Sequence, residues 1–175
     1  MVKLIIVNGA PASGKTSFEG YCTEFFGTHH TYIHSTVDRI KEAAKVLGWD
    51  GTKTPENRKF LSDLKDLTTQ WNDVPFRTID EHLEKLKTQQ INEDSYDITK
   101  DYLLVDSREP EEIKRFKEEL GAITVLIKND KAEQVAVSNH ADRDVLNCNY
   151  DYTICNNGTL DELREKARVF CQLVR

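Results

Sequence analysis

Apolar residues along this chain fall into two kinds of segment that alternate: short unbroken runs, and stripes spaced three to four residues apart. Residues 2–7, apolar except for Lys3, form the first run and end at Asn8-Gly9, as expected of a strand buried on both faces. A helix is predicted from the glycine-rich stretch that follows to about Phe26, and residues 31–34 make a short second strand. Ser35-Thr36-Val37-Asp38 has the Ser-x-x-Asp form of a capping box and opens a helix to about Leu47. Thr54-Pro55-Glu56 repeats the start signal, with a capping threonine and a proline at the first helical position. Leu61, Leu64 and Trp71 lie near helical spacing behind it, and Ile79, Leu83 and Leu86 form a second stripe after Pro75. Residues 54–92 are therefore read as a helical insertion, rich in polar and charged residues.

The alternation then resumes. Residues 102–105 are a buried strand, and Glu109-Pro110-Glu111 starts a helix carrying Ile113, Phe116 and Leu120. Residues 122–127 and 150–154 are two further strands, and Thr159-Leu160-Asp161-Glu162 is a capping box before a last helix with Leu163 and Phe170. About five strands separated by helices need crossover connections, hence a parallel sheet covered on both faces: the α/β class. No repeat, low-complexity tract or Pro/Gly-rich linker divides the chain, so residues 1–175 are read as one domain.

Composition narrows the partners. With 38% hydrophobic and 31% charged residues, 175 residues suffice for a single good core. A net charge of −6 supplies no global field towards nucleic acid or acidic membrane, so a polymeric nucleic-acid partner is not favoured. The run in residues 1–7 is too short for a signal peptide or membrane span. Cys22, Cys148, Cys155 and Cys171 show no metal-ligand or CxxC spacing, which predicts free thiols in a reducing cytoplasm. His29-His30 has no further ligand near it in sequence and is read as a surface pair. Monomer and homodimer both stay open.

The chemistry sits after the first strand. Gly9-Ala10-Pro11-Ala12-Ser13-Gly14-Lys15-Thr16 matches the P-loop pattern G-x-x-x-x-G-K-[ST] in full, with Ser17 next in the helix. The glycines let the backbone curl so that successive N–H groups point into one anion-sized hollow, and the helix adds its positive end. Lys15 is expected to reach the β- and γ-phosphates of ATP, and Thr16 to ligate Mg²⁺. Asp106, directly after the strand at 102–105, is placed to meet that magnesium, with a turn or capping role as its alternative. Arg108 is a candidate phosphate clamp, or else a surface partner of Glu111 or Glu112. Ile127-Lys128-Asn129-Asp130 is not the Asn-Lys-x-Asp order that reads guanine in GTPases.

These residues resemble the P-loop kinase superfamily, most closely the deoxynucleoside monophosphate kinases of bacteriophages. Besides the P-loop, the resemblance rests on Ser35 to Lys41, on Gly48-Trp49-Asp50-Gly51 with Arg58-Lys59-Phe60-Leu61, on Asp106-Ser107-Arg108-Glu109, and on Tyr150 to Leu160. It implies a nucleotide-kinase-like, three-layer P-loop NTPase fold and γ-phosphate transfer from ATP·Mg²⁺ to a small acceptor, a nucleotide first among them. By that likeness the insertion binds the acceptor through Asp38, Lys41 and Arg58, and Asn156, Asn157 and Gly158 lie beside the adenine. A lid falls at residues 131–147, where Arg143 joins Lys15 and Arg108 in stabilising the transferring group, and His140 is structural. A phage origin would place the protein in a host cytoplasm. Two rivals remain: a kinase of a hydroxyl acceptor with Asp38 as base, and a nucleotide sensor that signals through the insertion.

Overall fold

Aliphatic runs become strands here because both faces of the sheet are covered. The computed structural model describes residues 1–92, 100–136 and 148–175, the side chains of 90–92 and 134–136 excepted. Val2–Asn8 (β1), Thr31–Ser35 (β2), Asp101–Asp106 (β3), Ile123–Lys128 (β4) and Tyr152–Cys155 (β5) form one parallel sheet in the order β2-β3-β1-β4-β5. The helices among the described residues are Lys15–Phe26 (α1), Asp38–Val46 (α2), Pro55–Asn72 (α3), Val74–Asn92 (α4), Pro110–Leu120 (α5), Asp130–Ala136 (α6) and Leu160–Val174 (α7). The α/β fold with a five-stranded parallel sheet is thus the one expected.

Alternate residues of β1 divide the core. Ile5 and Val7 face α1 and α7, packing with Phe18, Cys22, Leu163 and Phe170. Leu4 and Ile6 face α4 and α5, packing with Ile79, Leu83, Ile113 and Phe116. Phe18, Phe116 and Phe170 are fully buried, and each contributes roughly 2–3 kcal/mol of apolar burial. The two helical layers against the sheet therefore hold the fold.

The segment 54–92 splits in two. Its second half, α4, is a core helix that buries Phe76, Ile79, Leu83 and Leu86. Its first half, α3, buries no residue fully; Leu61 and Leu64 are half-covered, and Trp71 is 78% exposed. The helical spacing of those three residues thus marks a helix but not a buried face.

The caps also differ in detail. Thr54 and Thr159 accept the N–H of Asn57 and Glu162, each at 3.2 Å, as their motifs predict. At the third box only the carboxylate arm closes well: Asp38 Oδ2 accepts the Ser35 N–H at 2.7 Å, and α2 starts at Asp38 itself. β5 starts at Tyr152 instead of 150. The Asp151 carboxylate accepts both the N–H and the hydroxyl of Thr124 at 2.9 Å, binding β4 with a side chain where a strand would use its backbone. No helix among the described residues is long and apolar enough to cross a membrane.

Candidate active site

β1 delivers the chain to the P-loop through a hydrogen-bonded last residue. Asn8, fully buried, accepts the Gly9 N–H on Oδ1 at 2.6 Å and donates from Nδ2 to the Tyr150 hydroxyl at 2.7 Å. The loop then needs left-handed backbone at Ala12 (φ 64°) and at Gly14 (φ 102°, ψ 16°). A Cβ on Gly14 would stand 2.3 Å from Asn156 Nδ2, so the position suits glycine on space as well as torsion. That amide donates to the Ser13 carbonyl at 2.8 Å, bracing the loop from the end of β5. No side chain caps α1, so its first-turn N–H groups point at whatever anion the loop holds.

Lys15, nearly buried, turns back over the loop and donates from Nζ to the carbonyls of Gly9 (2.8 Å) and Ala10 (3.2 Å). Its charge is thereby stationed inside the hollow. Pro11, Ala12 and Thr16 are exposed on the loop rim, and Ser17 is half-buried in the first turn of α1. Asp106 pairs in register with Val7 of β1 and Ser35 of β2, which sets it beside the loop at the carboxyl end of the sheet. Burial raises its carboxyl above the ordinary range, against the pull of Lys15, Arg108 and Lys41 and with a push from Asp38. The same interactions show that the fold gathers these five residues.

Beside Asp106 opens a cavity of about 360 Å³ lined by Lys41, Lys53, Lys65, Arg108 and Glu109 among others. Lys65 pairs with Glu112 at 2.8 Å and Glu109 at 3.5 Å, so α3 and α5 together close its wall. Asp38 stands at the edge, one carboxylate oxygen accepting the Ser35 N–H at the end of β2 and the other 3.6 Å from Lys41 Nζ. Arg58 is exposed on the first turn of α3 and is not part of the cavity lining. Asn157 is tied to Asp130, whose N–H it accepts at 3.0 Å and whose carboxylate it meets at 2.8 Å; exposed Gly158 follows, ahead of the Thr159 cap. Arg143, His140 and the rest of the lid from residue 137 to 147 lie outside the described residues.

The sequence reading missed Glu19, Lys53, Lys65 and the bracing role of Asn156. Glu19 was within reach of a pattern argument, since it follows Lys15 by four residues and Thr16 by three on one helix face. Burial pushes its carboxyl up to about 8, with a further push from Asp106 and an opposing pull from Lys15. Unfolded, the group titrates near its ordinary 4.5, so between 4.5 and about 8 the folded chain holds a proton that the unfolded chain has lost. Stability from this group is therefore full below 4.5 and drains away as pH rises towards 8. In magnesium-free buffer we expect the melting temperature to fall over that window by several degrees, and Glu19→Gln to flatten the slope.

The buried side-chain oxygens without a hydrogen-bond partner, among the described residues, are Ser13 Oγ, Glu19 Oε1 and Asp106 Oδ1. Each would cost about 1–3 kcal/mol if nothing ever satisfied it. All three belong to the P-loop, the helix it opens or the strand end beside it, and hard oxygen donors suit Mg²⁺. No group of three or more His, Cys, Asp or Glu residues that could cage a metal occurs among the described residues. That fits an ion held partly by substrate phosphates, as magnesium commonly is.

The family described as GvpD gas vesicle protein, P-loop domain, matches residues 1–170. The chain belongs to that family. Among solved structures, the GvpD P-loop domain is similar to a sugar kinase from a Janibacter species, with a TM-score of 0.54 at 12% identity over 98% of this chain and 95% of that one. A thymidylate kinase from Ehrlichia chaffeensis matches with a TM-score of 0.47 at 14% identity, covering 98% of each chain. A shikimate kinase from Acinetobacter baumannii matches with a TM-score of 0.48 at 14% identity, covering 99% of this chain and 93% of that one. No curated protein matches the chain. The family match and the sugar-kinase likeness give the chain a P-loop, kinase-like fold, and at such identity the likeness is one of fold alone.

Proposed function

We propose that the domain binds ATP·Mg²⁺ and transfers the γ-phosphate to a small anionic acceptor, of which a nucleoside monophosphate is the first candidate. One observation carries this reading: four cations, Lys41, Lys53, Lys65 and Arg108, line a cavity that opens on Asp106. Although Lys65 pairs with Glu109 and Glu112 and Lys41 stands 3.6 Å from Asp38, Lys53 and Arg108 add two further cations to the cavity lining. Its size suits a small ligand, and its charge suits one that brings a phosphate. Magnesium would be held by Thr16 and Asp106, and its chemistry there is to neutralise the β- and γ-phosphate oxygens.

The chain's own residues do the rest. Loop N–H groups and Lys15 hold the phosphates in line, while Arg108 orients the acceptor from the opposite side. A phosphate acceptor is already anionic and needs no strong base. Asp38, the base that a hydroxyl acceptor would require, accepts the Ser35 N–H on one oxygen and keeps the other 3.6 Å from Lys41 Nζ, so ADP release measured with hydroxyl acceptors tests that rival.

A second reading, a nucleotide switch, draws on α3. The family's description refers to gas vesicles, and α3 keeps Leu67 and Trp71 exposed with no residue fully buried, a surface a signalling helix would use. One assay separates the two. ADP release with magnesium is measured against each common ribo- and deoxynucleoside monophosphate in turn. Stimulation by one or a few, with a KM about tenfold higher in Arg108→Ala, supports the kinase. ATP binding without stimulation by any acceptor removes it and leaves the switch.

A further inference from the structure

We infer that Glu19 is a second carboxylate of the magnesium site, placed there by the face of α1 that it shares with Lys15 and Thr16. The inference rests on reading the P-loop as an ATP·Mg²⁺ site and adds a residue to it. Helical spacing comes first. Glu19 follows Thr16 by three residues and Lys15 by four, so its side chain lies one turn along the helix from both.

Burial makes the choice of residue telling. Glu19 is 3% exposed, between the buried phenylalanine at 18 and the buried cysteine at 22, on a helix whose inner side otherwise packs apolar groups against the sheet. A purely structural residue at this point would be apolar, because a buried carboxylate without a partner destabilises the fold. Glu19 Oε1 has no hydrogen-bond partner, and neither has Asp106 Oδ1 across the gap between α1 and β3. The two carboxyl groups are close enough to repel each other, and both feel Lys15. Ser13 Oγ, fully buried and also without a partner, lies on the same loop. A divalent cation turns that repulsion into attraction and gives hard oxygen atoms a partner, directly or through the water it retains.

The test reads cation binding, not turnover. Mn²⁺, a paramagnetic stand-in for Mg²⁺, is titrated against the whole chain with ADP present, and free Mn²⁺ is followed by its electron paramagnetic resonance signal. Glu19→Gln is expected to raise the Mn²⁺ Kd at least tenfold while ADP affinity in EDTA stays within twofold of the parent. Glu19→Leu, which suits the apolar side of α1, is expected to show the same loss and covers the case in which the glutamine variant fails to fold. Unchanged Mn²⁺ affinity in a folded variant would overturn the inference, leaving Glu19 a buried neutral acid. If the parent chain binds ADP but no Mn²⁺, the inference falls while nucleotide binding stands. If it binds neither, the reading of the site falls with it.

Discussion

Replacing Lys15 by alanine is expected to lower phosphoryl transfer by about a thousandfold or more, with the fold intact. The ammonium already lies within the loop, held by the carbonyls of Gly9 and Ala10, so the parent chain needs little rearrangement to meet a phosphate. Alanine removes the one cation of the loop itself and leaves the backbone N–H groups to carry the transferring charge alone. The structural loss is small by comparison. Each hydrogen bond from Lys15 to a carbonyl contributes on the order of 1 kcal/mol, and Glu19, whose carboxyl burial pushes up to about 8, accommodates the missing cation by keeping its proton. Arginine is not expected to rescue, since its planar fork does not replace a compact point charge in a closed loop. Turnover with ATP and whichever acceptor stimulates ADP release, set against a thermal melt, checks both halves. Near-normal turnover in Lys15→Ala would sink the assignment.

How much of this was legible beforehand varies with the range of the interactions concerned. The P-loop was fully legible because its requirements are local: a buried run, glycines at torsions other residues resist, and a helix start within eight residues. The threonine caps at 54 and 159 were legible for the same reason, each reaching only three residues along the chain. Asp106 could be placed because a short buried strand has one carboxyl end, whichever strands flank it.

The cavity beside Asp106 was not legible. Lys53 and Lys65 enter it only because α3 stands against α5 through Lys65, Glu109 and Glu112, and no spacing in the sequence encodes that approach. Asn156 braces Ser13 across 143 residues, a contact that depends on β4 lying between β1 and β5 in the sheet. Strand order is a tertiary property and leaves no periodic trace. Trp71 shows the converse error: helical spacing of apolar residues identified the helix, but burial needs an opposing surface, and α3 has little. The P-loop kinase part of the resemblance matched the fold, and its phage nucleotide-kinase part and the acceptor it implies are left to the assay.

At Asp106, activity and stability are expected to move in opposite directions. Asp106→Asn keeps the volume of the side chain but removes a charge from a site where burial already raises the carboxyl above its ordinary range. In magnesium-free buffer the variant should be more stable by about 1 kcal/mol, since it carries no desolvated carboxylate. The sign with pH follows from the raised folded value. The parent is relatively favoured while its carboxyl is protonated and loses that contribution as pH climbs through the folded pKa, so the advantage of the asparagine grows towards alkaline pH. With magnesium and ADP the order should reverse. Binding to the folded state alone at a hundred times Kd stabilises the parent by about 2.7 kcal/mol, whereas the asparagine, a poorer magnesium ligand, gains little. Turnover should fall about a hundredfold or more, because the ion that neutralises the phosphates is no longer fixed. Paired melting curves with and without magnesium·ADP read the crossing directly. A variant stabilised by magnesium·ADP as strongly as the parent would show that Asp106 serves the strand end and not the metal.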